Sequence, residues 1–150
     1  MYACVFDQVA VTAIQDLFEL ISASTAVTVI HELSISQSSD AGDTESEQLN
    51  VLMHRGTATG TGGTTVTPSP MSVGDSAYGG TVEANNTTQS VEGTLIRSES
   101  FNVMNGLSVI WTPEQRPIIS PSGLFIVELQ IAPADELTMS GTLIIEELGT

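Results

Sequence analysis

Lysine is missing from this 150-residue sequence, and arginine occurs only as Arg55, Arg97 and Arg116, against 18 Asp and Glu, for a formal net charge of −15. Nucleic acids and anionic membranes are bound by Lys and Arg, so both are excluded as expected partners, and acidic partners are disfavoured with them. What the charge does provide is solubility and resistance to nonspecific association. Cysteine occurs once, as Cys4, which rules out an internal disulfide and a Cys-rich zinc site and leaves packing to hold the fold. No apolar run approaches the ~20 residues of a membrane-spanning helix. Residues 1–7 have no basic character, and Asp7 and Asp16 interrupt the apolar positions, so no secretory signal is expected and Asn86-Thr87-Thr88 reads as a polar turn. Aromatics are scarce as well: Trp111, Tyr2, Tyr78 and four Phe.

Helical spacing is nearly absent. It occurs at Ile14, Leu17, Phe18 and Ile21, where a strand is the preferred reading. Elsewhere β-branched runs alternate with turn residues. Residues 26–36 have an expected inward row of Val27, Val29, His31, Leu33 and Ile35, and residues 48–55 place Leu49, Val51 and Met53 on one face. Further strands are expected over 93–102 and 107–111. The last third organises the rest. Residues 124–131 are apolar on both faces near their start, with Phe125, Val127, Leu129 and Ile131 on one side and Leu124, Ile126 and Glu128 on the other. After Pro133 and Asp135, residues 137–147 alternate nearly cleanly, so the two segments are expected to pair as a central antiparallel hairpin. The chain then reads as a single all-β domain over 1–150, a β-sandwich of about eight antiparallel strands with a jelly roll as the best-fitting variant. Residues 56–80, rich in Gly, Thr, Ser and Pro, are expected to form a long flexible loop.

Chemistry-bearing residues are sparse. Asp40, Asp43, Glu45 and Glu47 around Gly42 lack the ligand spacing of a calcium loop and read as a solvated segment. His31 and His54, on strands expected to be adjacent, could join Cys4 or a carboxylate in a zinc or nucleophilic site, but no His or Glu-His spacing supports it. A buried Glu128 calls for a partner, for which Arg97 or Arg116 is expected. A glycosidase pair such as Glu128 with Glu146 could be drawn in any acidic sandwich. Gly60-Thr-Gly-Gly63 has no following Lys and is not a phosphate loop. Catalytic, cofactor-binding and metal-ligating residues are therefore all expected to be none.

The stretches Glu47-Gln-Leu-Asn-Val, Arg55-Gly, Thr112-Pro-Glu-Gln-Arg-Pro-Ile-Ile-Ser-Pro121 and Ala132-Pro-Ala-Asp-Glu-Leu-Thr-Met-Ser-Gly-Thr-Leu143 resemble small proteins encoded near the head genes of tailed bacteriophages. Among these the chain is similar to capsid decoration or cement proteins, and the likeness covers most of its length. The resemblance implies a β-rich structural virion protein, a homotrimer made in the host cytoplasm and seated on the major capsid protein at the outer shell. It brings no catalytic or binding residues with it. A carbohydrate- or host-binding module of a head or tail fibre is the alternative.

Overall fold

The computed structural model describes residues 1–39 and 47–149. Its strands are β1 (Tyr2–Val11), β2 (Gln15–Ile21), β3 (Val27–Gln37), β4 (Gln48–Ala58), β5 (Thr64–Val66), β6 (Ser69–Pro70), β7 (Thr81–Asn86), β8 (Val91–Asn102), β9 (Leu107–Ile110), β10 (Ile118–Ile119), β11 (Leu124–Leu129) and β12 (Leu137–Leu148). They form two antiparallel six-stranded sheets. The first runs β10-β3-β12-β1-β6, with β9 following β10 along the same edge of β3, and the second runs β5-β7-β2-β11-β4-β8. This is the expected all-β sandwich, with a strand where residues 14–21 had a competing helical reading. The jelly-roll variant is a finer claim than this strand order supports.

The central hairpin is corrected. Strand β11 pairs with β2 and β4, whereas β12 pairs with β1 and β3 in the opposite sheet. Both segments are interior strands, but of different sheets. Their apolar rows meet face to face, so Phe125, Val127 and Leu129 share one core with Met139, Leu143 and Ile145. The link between them is tethered along β4 instead of closing a tight turn: Gln130 N donates to Asn50 O at 2.9 Å, and Ala134 N to Glu47 Oε1 at 2.6 Å. Alternation specifies which face is buried, but two strands with matching faces can serve one core from either side.

At the centre of the sandwich Phe6 and Phe18 approach with ring centroids 5.1 Å apart. Gly141 lies beneath them, where a Cβ would overlap the Phe6 ring and stand 3.0 Å from Phe18 Cε2. A strand-interior glycine is thus required by a close approach of two rings. Residues 56–80 lay down β5 against β7 and β6 against β1, and then bury Tyr78, whose hydroxyl lies 2.8 Å from Thr28 Oγ1. Beside β1 and β5 an open cleft of about 380 Å³ is lined by Val5, Val9, Thr65 and Val66, among others.

Candidate functional site

The outer face of the second sheet carries buried charge. On β11, Leu124, Ile126 and Glu128 point away from the core, and antiparallel partners share a face. Asp16 of β2 opposes Glu128, while Glu19 of β2 and His54 of β4 oppose Ile126 on either side. Exposure is 1% for Asp16, 3% for Glu19, 3% for His54 and 4% for Glu128.

Two bulged strands bring this set together. Between Val127 and Glu128 the partner residue on β2 jumps from Phe18 to Asp16, leaving Leu17 as the extra residue. Strict alternation would put Asp16 in the core row with Phe18 and Leu20; the bulge re-aims it outward. Along β8 the register against β4 shifts three times, so that Leu95 opposes His54 and Glu92 opposes Gly56. Glu92 thereby joins the same face from the sheet edge.

Two loop segments cover the face. Thr61 and Thr88 exchange backbone hydrogen bonds of 2.9 and 3.0 Å. Beneath them Gly60 N and Asn86 Nδ2 donate to Glu19 Oε2 at 2.8 and 2.9 Å, Ser90 N to Asp16 Oδ2 at 2.6 Å, and Gln89 Nε2 to Glu128 Oε1 at 2.6 Å. A Cβ on Gly60 would overlap the Thr88 carbonyl, so only glycine lets the cover approach this closely.

Burial is the main influence on the three acids. It raises Asp16, against the opposing Ser90 hydrogen bonds and the His54 charge, and it raises Glu19, against Gly60 and Asn86. Glu128 is pushed up to about 7, first by burial and then by the Glu92 carboxyl beside it, with Gln89 pulling the other way. His54 Nε2 lies 3.2 Å from Glu128 Oε2 without hydrogen-bond alignment. Among the described residues both atoms therefore lack a hydrogen-bond partner, as do His54 Nδ1 and Asp16 Oδ1.

Several sequence expectations are corrected here. His31 and His54 lie in opposite sheets, not on adjacent strands. His31 is the extra residue of a bulge against β12, so Ile30 enters the core in its place and the imidazole contacts Glu146 Oε2 at 2.9 Å. That places Glu146 on the other sheet from Glu128, and the two form no glycosidase pair. Neither arginine partners Glu128; Arg97 bonds Glu99 and lies over Trp111. Cys4, by contrast, is the buried small hydrophobe that a lone cysteine without a site is expected to be, and burial pushes its thiol up to about 12. Glu47 accepts the Ala134 N–H, and the rest of the acidic loop, Asp40, Asp43 and Glu45, lies outside the described residues. Asp16, Glu19, Gln89 and Glu92 were not singled out in the sequence; the adjacent apolar pair Leu17-Phe18 inside an alternating strand was the available sign of a bulge.

Comparison with protein-family models, with curated proteins and with solved structures gives no match.

Proposed function

We propose that the chain is a structural virion protein that decorates and cements the head of a tailed bacteriophage, assembling as a homotrimer on the major capsid protein. The observation that carries this reading is one flank of the sandwich. Among the described residues strand β8 ends the second sheet with one edge unpaired, and β9 and β10 border the first sheet beside it, joined by Arg97 over Trp111 and by Arg55 donating to Ile118 O at 3.5 Å. Exposed Val91, Leu95, Ile110 and Ile118 lie on these strands. All three arginines of the chain belong to the same flank: Arg55 on β4, Arg97 on β8 and Arg116 just before β10.

An open strand edge with apolar side chains and all three arginines of a −15 protein suits a docking surface, since Arg is enriched at interface centres. Like-charged copies repel unless charge is balanced at the contact, and on this flank the three arginines offset Glu92 and Glu99 of β8 and Glu114 between β9 and β10. The resemblance in sequence and the acidic remainder, suited to the outside of a DNA-filled shell, support the same reading. Against a sugar-binding module stands the burial of every aromatic side chain, Trp111, Tyr2 and Tyr78 included, which leaves no exposed stacking platform.

Light scattering in low and high salt, followed by sedimentation with shells stripped of the protein, tests this. The wild-type chain should be oligomeric, more so in high salt, and should rebind the shells. A Leu95→Glu/Ile110→Glu variant, altered only at exposed positions, should stay folded, become monomeric and fail to rebind. A wild-type monomer under both conditions contradicts the oligomer, and failure to rebind removes the cement role in favour of host binding.

A further inference from the structure

We propose that His54, Glu92 and Glu128 form a binding site for one divalent transition-metal cation, zinc foremost, at the junction of β4, β8 and β11. The inference does not depend on the capsid reading. One ligand atom from each of the three residues lies within 4.8 Å of the others. The 3.2 Å between His54 Nε2 and Glu128 Oε2 is short of hydrogen-bond alignment but close to the ~3.3 Å that separates two ligands held tetrahedrally at about 2.0–2.1 Å from zinc. Two groups converging on a common point satisfy both observations.

The orphaned atoms point the same way. An imidazole with only 3% exposure and no hydrogen bond at either nitrogen is rare in a folded core, and Glu128 Oε2 beside it is also unpartnered. Buried carboxylates at Glu128 and Asp16 ask for positive charge, yet no arginine reaches them, and a bound cation is often the largest local charge in such a place. The surroundings already orient the ligands: Gln89 holds the other oxygen of Glu128, and Ser90 N holds Asp16 next to it. Glu92 is exposed, which leaves an entry path from solvent.

The donor set selects the metal. One imidazole nitrogen with two carboxylates suits zinc, cobalt, nickel or manganese, whereas calcium and magnesium are held by oxygen alone. Three protein ligands leave further positions for water. The cation would clamp the bulged half of β8, which bears the exposed edge, to the two strands inside it.

The test uses the full chain freed of metal by chelator and then dialysed. Zinc titrated by calorimetry should bind at one equivalent and raise the melting temperature by several degrees, with calcium having no such effect, and cobalt should give the visible absorption of a site containing nitrogen. Glu92→Gln, at an exposed position that keeps the fold, should weaken zinc by at least about tenfold. His54→Gln should remove the cobalt spectrum, and His31→Gln should leave both unchanged. Absence of saturable zinc or cobalt binding to the wild-type chain overturns the site and leaves a carboxyl pair sharing a proton. Equal binding by wild type and Glu92→Gln overturns it as well, placing the metal elsewhere on the acidic surface.

Discussion

Acidification from pH 7.5 to about 5 should stabilise the metal-free protein. Acidification usually destabilises a fold, below about pH 5, where carboxylates held ionised become protonated. Here the sign is reversed. The folded state raises Glu128 from 4.5 to about 7, so between these values the folded chain binds a proton that the unfolded chain has released. Above both, each state is ionised and the fold bears the full burial penalty; below both, each is protonated and the penalty is gone. Fewer than the full two and a half units fall inside this pH range, and Glu92 shares the effect, so the gain from Glu128 is on the order of 1–2 kcal/mol. The raised Asp16 and Glu19 act in the same direction from β2. Glu128→Gln removes the ionisation and should both raise stability at pH 7.5 and flatten the profile. Denaturant unfolding across the pH range is the measurement, and a wild-type midpoint that falls steadily from pH 7.5 to 5 contradicts the assignment.

Phe18→Ala should cost about 3–5 kcal/mol, by lost transfer free energy plus a cavity that the sandwich cannot close. Phe18 is fully buried on β2, and its ring meets Phe6 of the opposite sheet above the gap left by Gly141. The two sheets contact each other through this stack, so the surrounding strands have no simple way to collapse into the space. Urea unfolding of the variant measures the loss. A change below about half a kcal/mol would place the Phe6 and Phe18 contact outside the core.

The sequence carried the sandwich because β-branched alternation reports which face is buried, and most segments obey it: Leu49, Val51 and Met53 enter the core as their spacing implies. It also marked Glu128 as a charge that needed a partner. What it did not carry was pairing and register. The rows of β11 and β12 are as compatible with opposite sheets as with a hairpin, and only the tether of residues 130–134 to β4 separates the two. The site was hidden for a related reason. Leu17 on β2, His31 on β3 and the irregular first half of β8 each break the period of two, and every break moves a chemical group: Asp16 outward, His31 out of the core row, and Glu92 to the face of Glu128. A reading by strict alternation misplaces these residues, and no spacing within a single strand announces a site assembled from β4, β8 and β11.

On the proposed function, the flank of β8, β9 and β10 joins this chain to a capsid. Electron cryo-microscopy of the particle that carries it tests this most directly. Density for the two six-stranded sheets is expected on the outer surface of the head, in threefold groups, with Leu95, Ile110 and Ile118 against a neighbouring copy or the shell. Density confined to a tail or fibre, or a head-bound copy with this flank turned to solvent, would contradict it.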